Sequence, residues 1–379
     1  MAKSNFNDLN LIRRKNQLAV LSLLRKERQS CVTLKNSLNI SSVAIYSIID
    51  DLLEKKLIKI ESDQSAKIGR KPALYSLNAE FGFFAAVDFS QRFITAYLLD
   101  IFGNIVAQKS ANNKTLLDKS DIFNLVHILQ ELVDEYCSEQ SPLRCICVAT
   151  PGRIKKDTGY FWIAARFINP TEINMEEIFR ETFDCPIVVK NDITISSIGI
   201  NTYPSITHIP NALLVHIGEG LGAALFLDGK NYEGENNAAG EFGSMMLLNH
   251  KGITSQFAIS YVLEKYSPDN PISEEEFCRI YKNGDPRAEE LMDEYISMLS
   301  VFINNILVIL DISTVILSGS ICSFGEKFLN RLQDNYLHSS HFLTQPRCIF
   351  SPLGNNAILV GCMETAFNTC ISQILEEVL

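Results

Sequence analysis

The stretch Phe84-Ala85-Ala86-Val87-Asp88-Phe89-Ser90-Gln91-Arg92 decides the interpretation of most of this chain. Its first half is an apolar run of the kind that forms a buried strand, and its second half is a short polar loop that follows a carboxylate. The segment from Phe93 to Leu99 predicts a second strand directly after that loop. We therefore expect a strand, an acidic loop and a second strand in immediate succession.

The same order returns in the second half of the chain. Ala212 to Ile217 predicts a strand, Gly218-Glu219-Gly220-Leu221-Gly222 a glycine loop, and Ala223 to Leu227 the next strand. A helical pattern follows in both halves. Two βββα-like halves, each with its own loop, are typical of the two-lobed sugar-kinase or actin-like fold, which is ribonuclease H-like. The sequence thus predicts an α/β body with a ligand cleft between two lobes.

The first 78 residues carry a different pattern. Arg13 to Arg28 predicts a first helix and Thr33 to Leu38 a short second one, with Thr33 as its cap. A periodic apolar stripe over residues 45–53 predicts a third helix that begins at a cap on Ser41 or Ser42. Two short strands around a basic, glycine-containing loop come next. This order predicts an N-terminal winged helix-turn-helix.

Basic residues lie in this predicted head where the phosphates of duplex DNA would be. Residues 1–78 hold 14 lysines and arginines against 7 aspartates and glutamates, although the whole chain has a net charge of −10. Phosphate contacts position such a domain, and the first turn of its third helix reads base edges. The predicted DNA-binding residues are Arg13, Arg14, Lys15, Ser41, Ser42, Tyr46, Lys67, Arg70 and Lys71. The alternative is a protein-binding module whose charges are merely solvated.

Composition predicts an ordinary globular protein, with 46% hydrophobic and 21% charged residues. Polar residues interrupt every apolar run before it reaches the roughly 20 residues that span a bilayer. The polar N-terminus lacks an apolar signal core, so we expect a cytoplasmic location away from membranes. The ten cysteines include no pair at C-x-x-C spacing, which favours buried thiols over a disulfide framework.

Seven motifs occur in the order that one known family shares. They are Ile12-Arg13-Arg14-Lys15-Asn16, Gly69-Arg70-Lys71-Pro72-Ala73, Thr150-Pro151-Gly152, Asn191-Asp192, Gly218-x-Gly220-x-Gly222, Ala239-Gly240-Glu241-Phe242-Gly243 and Leu317-Ser318-Gly319. On these residues the chain resembles the ROK family of repressors, uncharacterised reading frames and sugar kinases, and within it the xylose-repressor-like branch. A single glycine triplet is weak evidence, whereas the ordered set covers essentially the whole chain.

The chain departs from the kinases of that family at the phosphate loops. Their first loop resembles D-x-G-G-T, whose glycines let backbone N–H groups approach ATP phosphates. Here Ser90 and Gln91 replace the glycines, Arg92 stands at the threonine position, and the second loop carries Glu219. Asp192 matches the catalytic base of the kinases but could simply accept a hydrogen bond from a sugar hydroxyl. We therefore expect no enzyme activity, no catalytic residues and no cofactor.

The family's zinc motif is also absent. Typical members have a histidine after A-G-E-x-G and then a C-x-C-G-x-x-G-C cluster, which together hold one structural zinc ion. In this chain Ser244 replaces the histidine, and no cysteine lies between Cys185 and Cys278. His250 is nearby, but one imidazole does not make a zinc site. We expect no metal.

The resemblance implies a partly preserved sugar site, because amides and carboxylates can bind sugar hydroxyls as acceptors and donors. The predicted ligand-binding residues are Asn169, Asn191, Asp192, Glu241, Ser244 and Gln256. Structural alternatives apply to several of them. Asn191-Asp192 could merely cap a helix, Glu241 could satisfy a buried loop, and the glycine loops could persist as tight turns.

These expectations combine into one organisation. Residues 1–78 form the DNA-binding domain, 79–200 the first lobe and 201–379 the second lobe of the ROK body. The resemblance implies the function of a sugar-responsive regulator of carbohydrate genes, specifically a repressor. Its expected partners are a double-stranded DNA operator and a sugar or sugar derivative as effector. A second copy of the chain is expected in a homodimer or higher homo-oligomer. The alternatives are a sugar kinase with an appended regulatory domain and a protein-binding scaffold.

Overall fold

A computed structural model describes most of the chain. The described residues are 2–61, 73–89, 93–112, 116–164, 166–218, 220–245, 257–337 and 345–376. Packing divides the chain into two compact units. Unit 1 comprises Met1–Thr150, Arg166–Lys190 and Cys362–Leu379, and unit 2 comprises Pro151–Ala165 and Asn191–Gly361. Both units therefore contain discontinuous segments, and they do not follow the predicted lobe limits 79–200 and 201–379.

The head of unit 1 has three helices and a small sheet. The helices are α1 (Ala2–Lys26), α2 (Cys31–Leu38) and α3 (Ser42–Glu54), and the strands are β1 (Gln29–Ser30), β2 (Ile58–Glu61) and β3 (Leu74–Leu77). The strands pair in the order β1-β3-β2. Helix α1 begins eleven residues before the predicted start at Arg13. The additional segment is rich in asparagine, which has a low intrinsic helix propensity.

The caps of the short head helices explain where each begins. Ser30, rather than the predicted Thr33, caps α2, since its hydroxyl accepts the Thr33 backbone N–H at 3.2 Å. Ser41 caps α3 in the same way through the Ala44 N–H, also at 3.2 Å. Asn39 ends α2 with a left-handed φ of 52°, a conformation that asparagine tolerates. These local bonds set the turn between the two helices.

Apolar residues of the three helices form the core of the head. The fully buried ones are Val20, Leu21, Leu24, Leu34, Ile45, Ile48, Ile49 and Leu52. The predicted stripe of α3 therefore faces inwards at i, i+3, i+4 and i+7, with Leu53 only half-buried at its edge. Burial of Ile45, Ile48 and Ile49 forces the intervening residues of α3 outwards, where they are free to meet a partner.

The remainder of unit 1 is a five-stranded sheet with helices. Its strands are β4 (Phe83–Asp88), β5 (Phe93–Leu99), β6 (Ile105–Asn112), β7 (Leu143–Thr150) and β10 (Ile187–Asn191), in the order β10-β7-β4-β5-β6. The helices are α4 (Lys119–Tyr136) and α5 (Met175–Arg180). Strand β4 pairs antiparallel with β5 and parallel with β7. The quoted apolar run is thus the central strand of the sheet.

Unit 2 repeats this arrangement. Strands β8 (Arg153–Ile154) and β9 (Phe161–Ile163) form a hairpin, and β11 (Ala212–Ile217), β12 (Leu221–Leu227), β13 (Lys230–Tyr232), β14 (Thr314–Ser318) and β15 (Arg347–Phe350) form a five-stranded sheet. The order β13-β12-β11-β14-β15 matches that of unit 1, with antiparallel pairs on one side of the first strand and parallel pairs on the other. The prediction of two similar α/β halves is confirmed.

Helices surround the second sheet. They are α6 (Asp192–Asn201), α7 (Ile259–Tyr266), α8 (Glu274–Lys282), α9 (Pro286–Leu310), α10 (Gly325–Leu337) and α11 (Ala357–Glu376), and α11 belongs to unit 1 from Cys362 onwards. Two of them, α9 and α11, are long and apolar enough to cross a bilayer by length and composition. Both bury part of their surface inside the protein, as core helices do, so this property is weak evidence for a membrane.

Helix α1 of the head is attached to helix α11 within unit 1. The Arg25 guanidinium donates to Glu364 at 2.6 Å and to the Phe102 carbonyl at 3.4 Å, and it lies 5.3 Å from the centre of the Phe367 ring. Eleven residues earlier on α1, Arg14 pairs with Glu376, the last residue of α11. Arg25 and Glu364 are mostly buried, with side chains 16% and 21% exposed. The head is therefore held by specific contacts as well as by the chain connection.

The Arg25→Met variant is expected to lower the free energy of unfolding by about 1–2 kcal/mol, because Glu364 would stay largely buried without its partner. Partial exposure keeps this value below that of a fully buried pair. Urea unfolding followed by circular dichroism would measure it. Lys26→Met, an exposed change at the next position, is the control, and an equal loss in both variants would contradict a specific attachment.

Candidate functional sites

The first turn of α3 presents an exposed surface on the head. Ser42 and Tyr46 are exposed, the Tyr46 side chain to 54%, whereas the Ser41 hydroxyl is committed to the helix cap. Val43 lies between them and is 82% exposed, which is unusual for a large aliphatic side chain. The prediction named Ser41, Ser42 and Tyr46 in this turn and omitted Val43. Its position in the first turn, three residues before Tyr46, is the signal that could have identified it.

The predicted phosphate-contacting residues fall into three groups. Arg13 and Lys15 are exposed on α1. Arg14 is half-buried and pairs with Glu376, so an intramolecular contact already engages its charge. The predicted wing residues Lys67, Arg70 and Lys71 lie outside the described residues.

In unit 2, the structure brings two predicted ligand-binding residues together around an arginine that was not predicted. Arg153 lies on β8, and its Nη2 contacts the Ser244 hydroxyl at 3.0 Å and the Glu241 carboxylate at 3.2 Å. The side chains of Arg153 and Glu241 are 18% and 35% exposed, so solvent reaches both. The available signal was a cation directly after Thr150-Pro151-Gly152 in a chain that lacks the family histidine.

A tight backbone approach holds Glu241 in place. Gly240 has a φ of +85°, and a Cβ atom there would lie 2.4 Å from the Ala223 carbonyl oxygen of β12. Only glycine satisfies both conditions. The chain then turns through a short 3-10 helix, Phe242–Ser244, while the Phe242 ring packs edge-on against Phe302 at 6.1 Å. The glycine of the Ala239-Gly240-Glu241 motif is thus explained by packing, and Glu241 directly follows this close contact.

Asn191 has the structural role that was the alternative to sugar binding. Its side-chain oxygen accepts the backbone N–H groups of Ile193 at 2.9 Å and Thr194 at 3.2 Å, so it caps α6. Its amide donates to the Gly152 carbonyl at 3.0 Å, beside Arg153. These bonds leave one amide hydrogen for a ligand. Asp192 is the first residue of α6, and the partly positive helix N-terminus stabilises its carboxylate.

The two remaining predicted ligand-binding residues are not part of this group. Asn169 is exposed, adopts a left-handed φ of 48° and precedes the 3-10 helix Pro170–Glu172 in unit 1, whereas Glu241, Ser244, Asn191 and Asp192 belong to unit 2. Gln256 lies outside the described residues.

The second glycine loop is a tight turn between β11 and β12. The Gly218 N–H donates to the Gly220 carbonyl at 3.1 Å, and Ile217 pairs with Leu221 across the hairpin. A Cβ atom at Gly222 would lie 2.7 Å from Ile193 of α6, so this glycine allows strand and helix to pack closely. Packing alone accounts for Gly222. The rewritten first loop, residues 90–92, and Glu219 lie outside the described residues.

His216 lies at the end of β11, beside that turn. Its Nδ1 is 3.1 Å from the Ser318 hydroxyl at the end of the parallel strand β14. Burial lowers the pKa of His216 to about 4, because charging the ring there would remove a cation from water. The imidazole is therefore neutral at pH 7 and available for hydrogen bonding but not for ion pairing.

Metal-binding groups of the usual kind are not assembled in the described part of the chain. Among those residues, no three His, Cys, Asp or Glu side chains lie together in a way that could hold an ion. All ten cysteines are free thiols. Burial raises the pKa of several of them, as for Cys348, whose pKa rises to about 12, so that it stays protonated at neutral pH.

Both sheets have the same strand order, and each contains a hairpin and parallel strands. This arrangement is that of the two-lobed proteins of the sugar-kinase and actin type. More particularly, the chain belongs to the ROK family, whose model matches residues 84–366. It is 21% identical to the xylose repressor of Caldicellulosiruptor bescii, with 96% of this chain and 98% of the relative covered.

Solved structures support the same fold. A ROK family transcriptional regulator, a homologue of the Escherichia coli Mlc protein, superimposes with a TM-score of 0.78 at 17% identity, covering 96% of this chain and 98% of that one. A ROK glucokinase from Streptomyces griseus, solved with glucose and AMPPNP, gives 0.62 at 17% identity and covers 75% and 99%. The regulator thus covers almost the whole chain, and the kinase covers three quarters of it.

Proposed function

We propose that this protein is a sugar-responsive transcriptional regulator, specifically a repressor, that binds duplex DNA through residues 1–78. The observation that carries the proposal is the exposed first turn of α3, with Val43 and Tyr46 outermost, on a basic head that is joined to a ROK body. Three helices with a small antiparallel sheet support a winged helix-turn-helix, a motif whose third helix enters the major groove. Full-length similarity to a xylose repressor supports the same function.

The chemistry of the α3 surface indicates what kind of DNA contact to expect. A methyl-rich side chain such as Val43 can contact the C5-methyl group of thymine, and the hydroxyls of Ser42 and Tyr46 can bond base edges or phosphates. Arg13 and Lys15 add positive charge on α1. No arginine or lysine lies in the first turn of α3, so bidentate contacts to guanine are not available from it.

The ROK body would supply the response to a sugar. Asp192 and Glu241 offer carboxylate oxygens, and Asn191 and Ser244 offer an amide hydrogen and a hydroxyl, which together suit a polyhydroxylated ligand. Ligand binding controls DNA binding only if the protein's two conformations differ in sugar affinity. We propose that this difference changes the separation of two heads in a cytoplasmic homodimer.

A sugar kinase remains the second candidate, because Asp192 is retained at the position of the family's catalytic base. Ser90, Gln91 and Arg92 argue against it, since side chains replace the glycines that admit ATP phosphates. Incubation with ATP and a hexose panel separates the two functions. Phosphorylation that is lost in Asp192→Asn would support the kinase, and its absence together with specific DNA binding would support the regulator.

The test of the regulator is binding of the full chain to fragments of its own promoter region, measured by fluorescence anisotropy at several salt concentrations. Specific, salt-sensitive binding that a sugar pool shifts is expected. Replacement of Arg70 and Lys71 by alanine should weaken binding to every sequence and reduce the salt slope by about 2, one for each lost phosphate contact. The matched control replaces Arg279 and Lys282, two exposed cations of α8, and should change neither quantity.

A further inference from the structure

A guanidinium group already binds the side chains of two predicted sugar-binding residues. Arg153 Nη2 bonds both the Ser244 hydroxyl and the Glu241 carboxylate, at 3.0 and 3.2 Å. These groups therefore satisfy one another. A ligand that uses Glu241 or Ser244 has to compete with Arg153 or to bind together with it.

The nature of that competition depends on the ligand's charge. A neutral sugar that takes the Glu241 oxygens would leave Arg153 without its counter-ion in a position only 18% exposed. A ligand with its own carboxylate or phosphate would supply a new counter-ion for Arg153 and release Glu241 for its hydroxyls. Exchange of one anion for another avoids an unpaired cation, so the arrangement favours an anionic ligand over its neutral parent.

We propose that the effector is an anionic monosaccharide, either a sugar acid or a sugar phosphate, whose anion is bound by Arg153. This proposal rests on the sugar response proposed above and specifies its ligand class. Arg153 has the capacity, because Nη2 serves both present contacts while Nε and Nη1 have no partner among the described residues. Arginine is also the side chain whose planar donors best match carboxylate and phosphate oxygens.

The hairpin that carries Arg153 provides an apolar surface next to it. The strand register shifts by one residue, so that Ile163 opposes Arg153 while Phe161 opposes Ile154. Trp162 is the extra residue of this β-bulge, and together with Ile163 it opposes Arg153. Phe161 is buried, whereas Trp162 and Ile163 are 51% and 54% exposed. An exposed indole on the strand that pairs with the Arg153 strand suits a pyranose, which has an apolar C–H face and polar substituents.

Trp162 also provides the means to test the proposal, because it is the single tryptophan of the chain. Its fluorescence would be followed while the full-length protein is titrated with matched sets: glucose, glucuronate and glucose 6-phosphate, then the corresponding members of the galactose and N-acetylglucosamine series. Inorganic phosphate serves as the probe for the anion alone. Calorimetry of the same pairs covers any ligand that binds without changing the fluorescence.

At least one anionic member is expected to bind 10-fold or more tightly than its neutral parent. The identity of that member, acid or phosphate, distinguishes the two sources of the charge. In Arg153→Gln the advantage should disappear, because the anion loses its cationic partner and a neutral sugar no longer leaves a buried cation unpaired. The control Arg180→Gln removes an exposed arginine that pairs with Glu176 on α5 and should preserve the advantage.

Three results would overturn the proposal. Neutral sugars that bind as tightly as their acids and phosphates would do so. An Arg153→Gln variant that keeps the full advantage of the anionic member would also do so, since the anion would then be bound elsewhere. The third result is operator binding by a protein that binds none of the tested sugars, sugar acids or sugar phosphates. It would refute both the proposed sugar response and the proposed ligand class. Ligand binding is measured without DNA, so a failure of operator binding alone would refute the regulator and leave the ligand class standing.

Discussion

The Val43→Asp variant is expected to bind its operator about 100-fold more weakly than the unchanged protein. A carboxylate at the most exposed position of the α3 first turn would face the negatively charged groove, and like charges at an interface cost several kcal/mol. The loss of a methyl contact to thymine adds to this effect. Fluorescence anisotropy at a fixed salt concentration would measure the change.

The fold of the head should tolerate this substitution. Val43 is the second residue of α3, where a negative charge interacts favourably with the helix dipole, and its side chain contributes almost nothing to the core. Val32→Asp is a matched control, because Val32 is the second residue of α2 and is 57% exposed. An equal loss from Val32→Asp would show that the added charge on the head, and not the α3 surface, determines DNA binding.

Replacement of Gly361 by alanine is expected to lower the free energy of unfolding by about 3 kcal/mol. Helices α6 and α11 cross at this residue, and a Cβ atom at Gly361 would lie 1.9 Å from the Ile195 carbonyl oxygen. Gly199 completes the crossing from the other side, since its Cβ atom would lie 2.1 Å from the Ala357 carbonyl oxygen. Backbone atoms cannot rotate away as a side chain can, so one of the helices would have to move.

Displacement of α6 should also disturb ligand binding, because α6 begins at Asn191 and Asp192. Urea unfolding would measure the stability, and titration with the effector would measure the affinity. Gly218→Ala is the matched control in the same unit: its Cβ atom would lie 3.6 Å from His216 Nε2, an ordinary contact, and should change stability by less than about 1 kcal/mol. Similar losses in both variants would contradict the close helix crossing.

Much of the fold could be predicted from local patterns. The strand Ala212–Ile217 has the predicted bounds, and the α3 stripe is buried as its periodicity requires. The start of α1 at Ala2 was missed because its first ten residues are mostly polar, with few apolar side chains to reveal a periodic face. Discontinuous units were also missed, since they arise from contacts between residues far apart in sequence, which periodicity does not report.

The candidate sites were harder to predict than the fold. The sequence left open whether Asn191 binds a ligand or caps a helix, and it could not show that the side-chain oxygen of Asn191 accepts two backbone N–H groups at the start of α6. Arg153 was overlooked because its importance depends on Ser244 and Glu241, about ninety residues further along the chain. Val43 was overlooked because an aliphatic residue is usually assigned to the core, and only the structure shows which face it occupies.

The attachment of α1 to α11 has a consequence for synthesis on the ribosome. Arg25 emerges early, whereas its partners Glu364 and Phe367 are made after the whole of unit 2. At 5–20 residues per second, the 339 residues that separate Arg25 from Glu364 take on the order of 17–70 s to translate. During that interval a nascent head has its own three-helix core but lacks its contacts with α11. We expect that the nascent head is able to bind DNA before the chain is able to bind a sugar. Completion of the chain is therefore the step that makes DNA binding by the head depend on the sugar.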